Sequence, residues 1–109
     1  MLVVVLGREF FYPRLIMFLT RVDRVVVEPV GAVWAAFSPL SGSTNLLNDL
    51  AAAVLEVLET GEMSAEAVYL ALCQDSGNTL ETIRAMVEPV LYTLVDAGLL
   101  HIWPTTLAS

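Results

Sequence analysis

The sequence contains no lysine, one cysteine and one histidine, and all five of its cations are arginines. A lone cysteine, Cys73, excludes an intramolecular disulfide and a thiolate metal cluster. Its position in an amphipathic run reads as a small buried hydrophobe, in keeping with a reducing, cytoplasmic setting. The single His101 has no second histidine to form a ligand pair and no cysteine beside it, so no metal site and no proton shuttle is expected. No glycine-rich loop resembles a phosphate cradle, and Ser41 in "PLSGS" lacks the nucleophile-elbow spacing. The expectation is a chain without catalytic residues or cofactor, hence not an enzyme.

Cations are scarce in a second sense. Residues 1–24 hold Arg8, Arg14, Arg21 and Arg24 against Glu9 and Asp23, whereas residues 25–109 hold Arg84 alone against ten carboxylates. Nucleic-acid binding draws on basic side chains that displace counterions from phosphates, so an acidic domain with one cation is poorly suited to it. The same charge disfavours anionic membrane surfaces. The apolar stretches near the start, "MLVVVLG" and "LIMFL", are broken by Arg8, Glu9, Pro13 and Arg14. They fall short of the roughly 20 apolar residues a spanning helix needs. Charge and apolar run also stand in the wrong order for a secretory signal.

What is abundant is apolar side chain: 57% of the 109 residues, against 16% charged. One domain of this length buries a modest core, so surplus apolar surface and a partner are expected. Residues 1–20 read as a flanking segment, a strand, a tail or sequence upstream of a start at Met17; residues 21–104 read as the domain and 105–109 as a tail.

From residue 24 the pattern becomes regular. "RVVVEP" (24–29), "AVWAAFS" (32–38) and "STNLLN" (43–48) read as three strands separated by turns at Gly31 and Pro39–Gly42. Alternation sets Val33, Ala35 and Phe37 on one face and Trp34, Ala36 and Ser38 on the other. Connections this short make an antiparallel meander. The period then changes to 3.6. A helix over about 50–60 is capped by Asn48 or Asp49, with Leu50, Val54, Val57 and Leu58 on its apolar face. Ser64 caps a second helix with Ala65, Val68, Tyr69 and Leu72 as its stripe. Asn78 and Glu81 read as a capping box opening a third helix that runs to about Ala97, with Leu80, Ile83, Val87, Val90, Leu91 and Leu94 at core spacing. Pro89 predicts a kink or break within it. "LLHIWP" (99–104) is extended again, as a wing or a covering segment. The fold class is α+β, winged-helix-like: a three-stranded antiparallel meander followed by three helices.

In this order the hairpin residues Phe37, Ser38, Pro39, Ser41, Gly42, Thr44, Leu46, Leu47 and Asn48, the Ala and Leu-rich helix and the closing "LVDAGLL" resemble the PqqD-like family of precursor-peptide recognition elements. The likeness is greatest to the branch associated with an HPr-kinase-related system, and it covers residues 22–102. The resemblance implies a chaperone that binds the leader of a precursor peptide as an extra strand and presents it to a modifying enzyme. The implied partners are therefore the peptide and a peptide-modifying enzyme or HPr-kinase-related protein, with no nucleic acid and no membrane.

The strand 43–48 offers unpaired N–H and C=O groups to such a guest if it lies at a sheet edge. About five backbone hydrogen bonds at roughly 1 kcal/mol each fall short of the ~8 kcal/mol of a micromolar complex, so apolar side chains must add to them. The candidate peptide-binding residues are Ser43, Thr44, Asn45, Leu46 and Leu47 on the strand and Ile83, Met86, Val87 and Val90 on the third helix, with Leu91 beside them. Spacing alone does not divide these between groove and core. Glu81, Arg84 and Glu88 read either as a selector of peptide charge or as a solvated face with an Arg84–Glu88 pair. Two other classes compete: a winged-helix DNA-binding regulator, and an assembly subunit, including a homodimer formed by self-pairing of 43–48.

Overall fold

A computed structural model describes residues 4–6, 9–11 and 14–107, with side chains over 17–103. The elements in chain order are β1 (Val4–Leu6), β2 (Glu9–Phe11), β3 (Arg14–Arg21), β4 (Val26–Val30), β5 (Val33–Ser38), β6 (Ser43–Leu47), α1 (Asp49–Val57), a 3-10 turn (Leu58–Thr60), β7 (Met63–Ser64), α2 (Ala65–Ser76), α3 (Leu80–Asp96) and β8 (Leu100–Leu107). The expected α+β order of a three-stranded antiparallel sheet followed by three helices is present.

The meander has strand order β4-β5-β6, with Val26 opposite Phe37 and Ala35 opposite Leu46. Its hairpin at Pro39–Gly42 closes because Gly42 adopts φ 70°, where a side chain would be strained, and its amide donates to the Ser38 carbonyl at 2.8 Å. The two faces of β5 differ sharply. Trp34, Ala36 and Ser38 point inward, while Val33 and Phe37 face solvent. The outward face of the sheet exposes Val26, Val30, Val33, Phe37 and Leu46, with Glu28 and Thr44 among them. That is where the surplus apolar surface expected from composition lies.

β3 and β8 form an antiparallel ladder in which Arg14 opposes Leu107 and Arg21 opposes Leu100, with β7 paired to Phe18 and Leu19 on the other side of β3. The ladder joins residues 14–21 to residues 100–107. It also settles "LLHIWP" as a strand paired to residues 14–21, not to the meander. Arg21 ties this unit to the rest: its guanidinium donates to the Leu55 carbonyl at 3.2 Å and the Val25 carbonyl at 2.6 Å. The first bond reaches a carbonyl in the last turn of α1.

The helices begin at caps. Asn48 Oδ1 accepts from the Ala51 amide at 2.9 Å, and Ser64 Oγ accepts from the Ala67 amide at 3.1 Å. For α3 the cap is Thr79, not Asn78: Thr79 Oγ1 accepts from the Thr82 amide at 3.2 Å. Gly77 ends α2 in the left-handed conformation, and the Asn78 amide is taken by Ser76 Oγ, which leaves Asn78 one residue outside the helix. α3 is unbroken through Pro89. Ala85, whose carbonyl would have bonded the missing amide, lies on the exposed face, so water can complete it. At its end the Leu99 amide bonds the Leu94 carbonyl and the Gly98 amide bonds that of Val95, turning the chain into β8.

The core lies between the inward face of the meander and the three helices, built from Ala36, Leu47, Val54, Leu55, Val68, Leu72, Ile83, Val87 and Leu94, with Leu19, Leu99 and Leu100 joining from the ladder side. The buried face of α1 differs from the expected one. Ala51, Ala52, Val54, Leu55 and Leu58 are inside, while Leu50 and Val57 are only half-buried. The two adjacent alanines, Ala51 and Ala52, occupy the buried face in place of Leu50.

Candidate functional site

β6 is an edge strand. Among the described residues it pairs with β5 alone, and the chain's own β3 and β8 pair with each other elsewhere. Its backbone therefore presents a row of unpaired donors and acceptors along one side. The strand alternates: Leu46 points to the outward apolar face and is 71% exposed, whereas Asn45 and Leu47 point inward. Ser43 and Thr44 are exposed near the hairpin.

Two residues past β6 a cleft of about 300 Å³ opens between the start of α1, the end of α2 and the start of α3. Leu50, Ala53, Leu72, Ile83 and Met86 give it an apolar floor, and Asp49, Asp75, Ser76 and Asn78 surround that floor with polar groups. Trp34 Nε1 donates to Asp49 Oδ1 at 3.0 Å, which pins the sheet to the first turn of α1 at the mouth of the cleft.

The structure divides the candidate residues. Ile83 and Met86 line the cleft, and Met86 is 46% exposed. Val87 is fully buried and Leu47 nearly so, both in the core. Val90 is half-buried against the core and does not line the cleft. Leu91 is buried on the other side of α3. Leu50, Ala53 and Leu72 were not among the candidates; the spacing of Leu50 and Leu72 reads as core, and the structure leaves Leu50 half-buried at the cleft.

Two polar atoms are buried without a hydrogen-bond partner among the described residues, Ser38 Oγ and Asn45 Nδ2. Asn45 sits in the middle of the edge strand, opposite Ala36. An unpartnered buried amide costs roughly 1–3 kcal/mol.

Arg84 does not pair with Glu88. Its Nη2 meets Glu66 Oε1 of α2 at 2.6 Å, and its guanidinium lies 5.7 Å from the centre of the Tyr69 ring. The hydrogen bond and charge of Glu66 raise the Arg84 pKa further. Burial, then the carboxylates of Glu88 and Glu66, push the Tyr69 phenol up. Among the described residues no cluster of three or more His, Cys, Asp or Glu side chains could hold a metal, and no helix is long and apolar enough to cross a membrane. Cys73 is half-buried in α2, and His101 is exposed on β8.

No family model and no curated protein matches the sequence. Among solved structures the chain is similar to TbiB1 in complex with the TbiA(beta) leader peptide, at 20% identity and a TM-score of 0.61, over 75% of this chain and 94% of that one. At that identity the likeness is one of fold.

Proposed function

We propose that the chain is a PqqD-like peptide-recognition domain, with residues 21–104 as the recognition unit. It takes the leader of a precursor peptide as a fourth strand along β6 and presents it to a modifying enzyme. The observation that carries this reading is the open edge of β6 beside an apolar cleft floored by Leu50, Ile83 and Met86. The likeness in fold to TbiB1, a protein captured with a leader peptide, supports it.

Strand addition supplies register through the backbone of Ser43–Leu47, and the side chains supply the remaining affinity. A guest running past Leu47 toward α1 would lay an apolar residue into the cleft, where covered area is worth ~25 cal/mol per Å². Asn45 Nδ2, buried without an acceptor, would donate to the guest only where docking opens the edge around it. Trp34, bonded to Asp49 at the mouth, would report the event by its fluorescence. The chain acts by binding alone, without cofactor, in the cytoplasm. An HPr-kinase-related protein is one form its partner enzyme takes.

A nucleic-acid reading gains no support from the charges on α3, where Arg84 is already engaged by Glu66 and Glu81, Glu88 and Asp96 are acidic. The test is titration with the leader of a small peptide encoded beside the chain, read by Trp fluorescence. Saturable binding that is lost on Met86→Asp supports the reading. A folded chain that binds no such peptide refutes it.

A further inference from the structure

A second recess lies on the opposite flank of α3. Two adjoining cavities of about 230 and 300 Å³ open between α2, α3 and the β3–β8 ladder, sharing Met17, Ala65, Tyr69 and Glu88 in their walls. Leu19, Leu91 and Ile102 line the first, which Tyr92 also borders; Arg84 and Glu66 border the second. Arg84, Glu88 and Tyr92 stand four residues apart and form one stripe of the helix, centred about 140–160° around from Met86, Ile83 and Val90.

The charges in this recess are unevenly committed. Arg84 is held by Glu66 at 2.6 Å and rests over the Tyr69 ring. Glu88 has no ion pair or hydrogen bond among the described residues, and Arg84 is the one cation in the two walls. What is left is an apolar floor, two phenol rings and one carboxylate with no ion pair or hydrogen bond among the described residues, and this set complements a cation carried on an aliphatic stem. An anion would meet Glu88 and Glu66, and a purely aliphatic group would leave Glu88 without a partner.

We propose that this recess receives an arginine or lysine side chain of a partner protein, its stem against Leu91 and Ile102 and its charged head at Glu88 between Tyr69 and Tyr92. The preference for a cation stands on the recess itself. The assignment to a partner protein, not to the guest peptide, rests on placing the peptide at β6, with the body of α3 in between.

The test is an amide-shift titration of the full chain with Nα-acetylarginine amide and, as the uncharged counterpart, Nα-acetylnorleucine amide at matched ionic strength. The arginine compound is expected to give saturable shifts around Tyr69, Glu88 and Tyr92 with a dissociation constant on the order of 1–10 mM, as suits so small a ligand. Glu88→Gln and Tyr92→Ala, both at exposed positions, are expected to weaken it about tenfold, and Met86→Ala to leave it unchanged. Absence of saturable shifts, equal binding of the norleucine compound, or indifference to both substitutions would overturn the proposal. If a leader peptide itself shifts Glu88 and Tyr92 and is weakened by Glu88→Gln, the cation belongs to the peptide and the partner assignment is wrong. None of these readouts involves β6, so failure here leaves the peptide reading to its own test.

Discussion

Trp34 Nε1 donates to Asp49 Oδ1 at 3.0 Å, joining the middle strand of the sheet to the first turn of α1. Asp49 also stands where a negative charge favours a helix N-terminus. Asp49→Ala is expected to cost about 0.5–1 kcal/mol, because the pair is exposed. It should also shift the Trp34 emission in a Trp103→Phe background. Urea denaturation and fluorescence check both; an unchanged emission would mean that the bond does not persist in solution.

Met86 and Val87 are neighbours in sequence with opposite roles. Met86 is half exposed in the cleft and Val87 is fully buried. Met86→Asp should leave a folded domain whose peptide affinity falls about tenfold or more, as loss of a central apolar contact does. Val87→Asp should cost about 4 kcal/mol by burying an unpaired charge, and unfold the chain. Circular dichroism with calorimetric titration separates the two.

The unpartnered Asn45 amide gives a prediction in which stability and function part. Asn45→Leu removes a buried donor without an acceptor and should stabilise the free domain by roughly 1 kcal/mol, while weakening the leader peptide. Equal loss of both, measured by thermal melting and titration, would make Asn45 a structural residue only.

Tyr69 carries a pH dependence. Burial and the charges of Glu88 and Glu66 hold its phenol pKa above the ordinary value. A phenol raised in this way contributes its full stability below the unfolded value near ~10 and loses it as pH climbs through the folded value. The phenolate absorbance of Tyr69, isolated by subtracting the Tyr69→Phe spectrum, should therefore appear above pH ~10, and Glu88→Gln should bring it down. Titration of Tyr69 at or below its ordinary value would contradict the burial seen here.

Much of the meander and helix order is legible in the sequence because it is written in local signals. The turn at Pro39–Gly42, the change from period 2 to 3.6 after Asn48, the Ser64 cap and the stripe Ala65, Val68, Tyr69, Leu72 each act within a few residues. What the sequence conceals is non-local. Residues 14–21 find their partner some 80 positions later, and neither "LIMFL" nor "LLHIWP" names the other. Arg21 enters the sequence reading only as one of five cations, yet it bonds β3 to α1. Arg84 has two acidic neighbours on its own helix and pairs instead with Glu66 of α2. The cleft shows the same limit: Ile83 and Met86 were candidates from spacing, but Leu50 and Leu72, from α1 and α2, join them only through the packing of three helices.

The account stands on the backbone of β6. Alternate amides of Ser43–Leu47 already face β5, and the remaining set faces outward. Amide hydrogen exchange, measured residue by residue with and without the leader peptide, tests this most directly. The outward set should exchange fast in the free chain and become strongly protected in the complex. A bound peptide that leaves those amides unprotected, or amides already protected in the free monomer, would contradict strand addition at this edge.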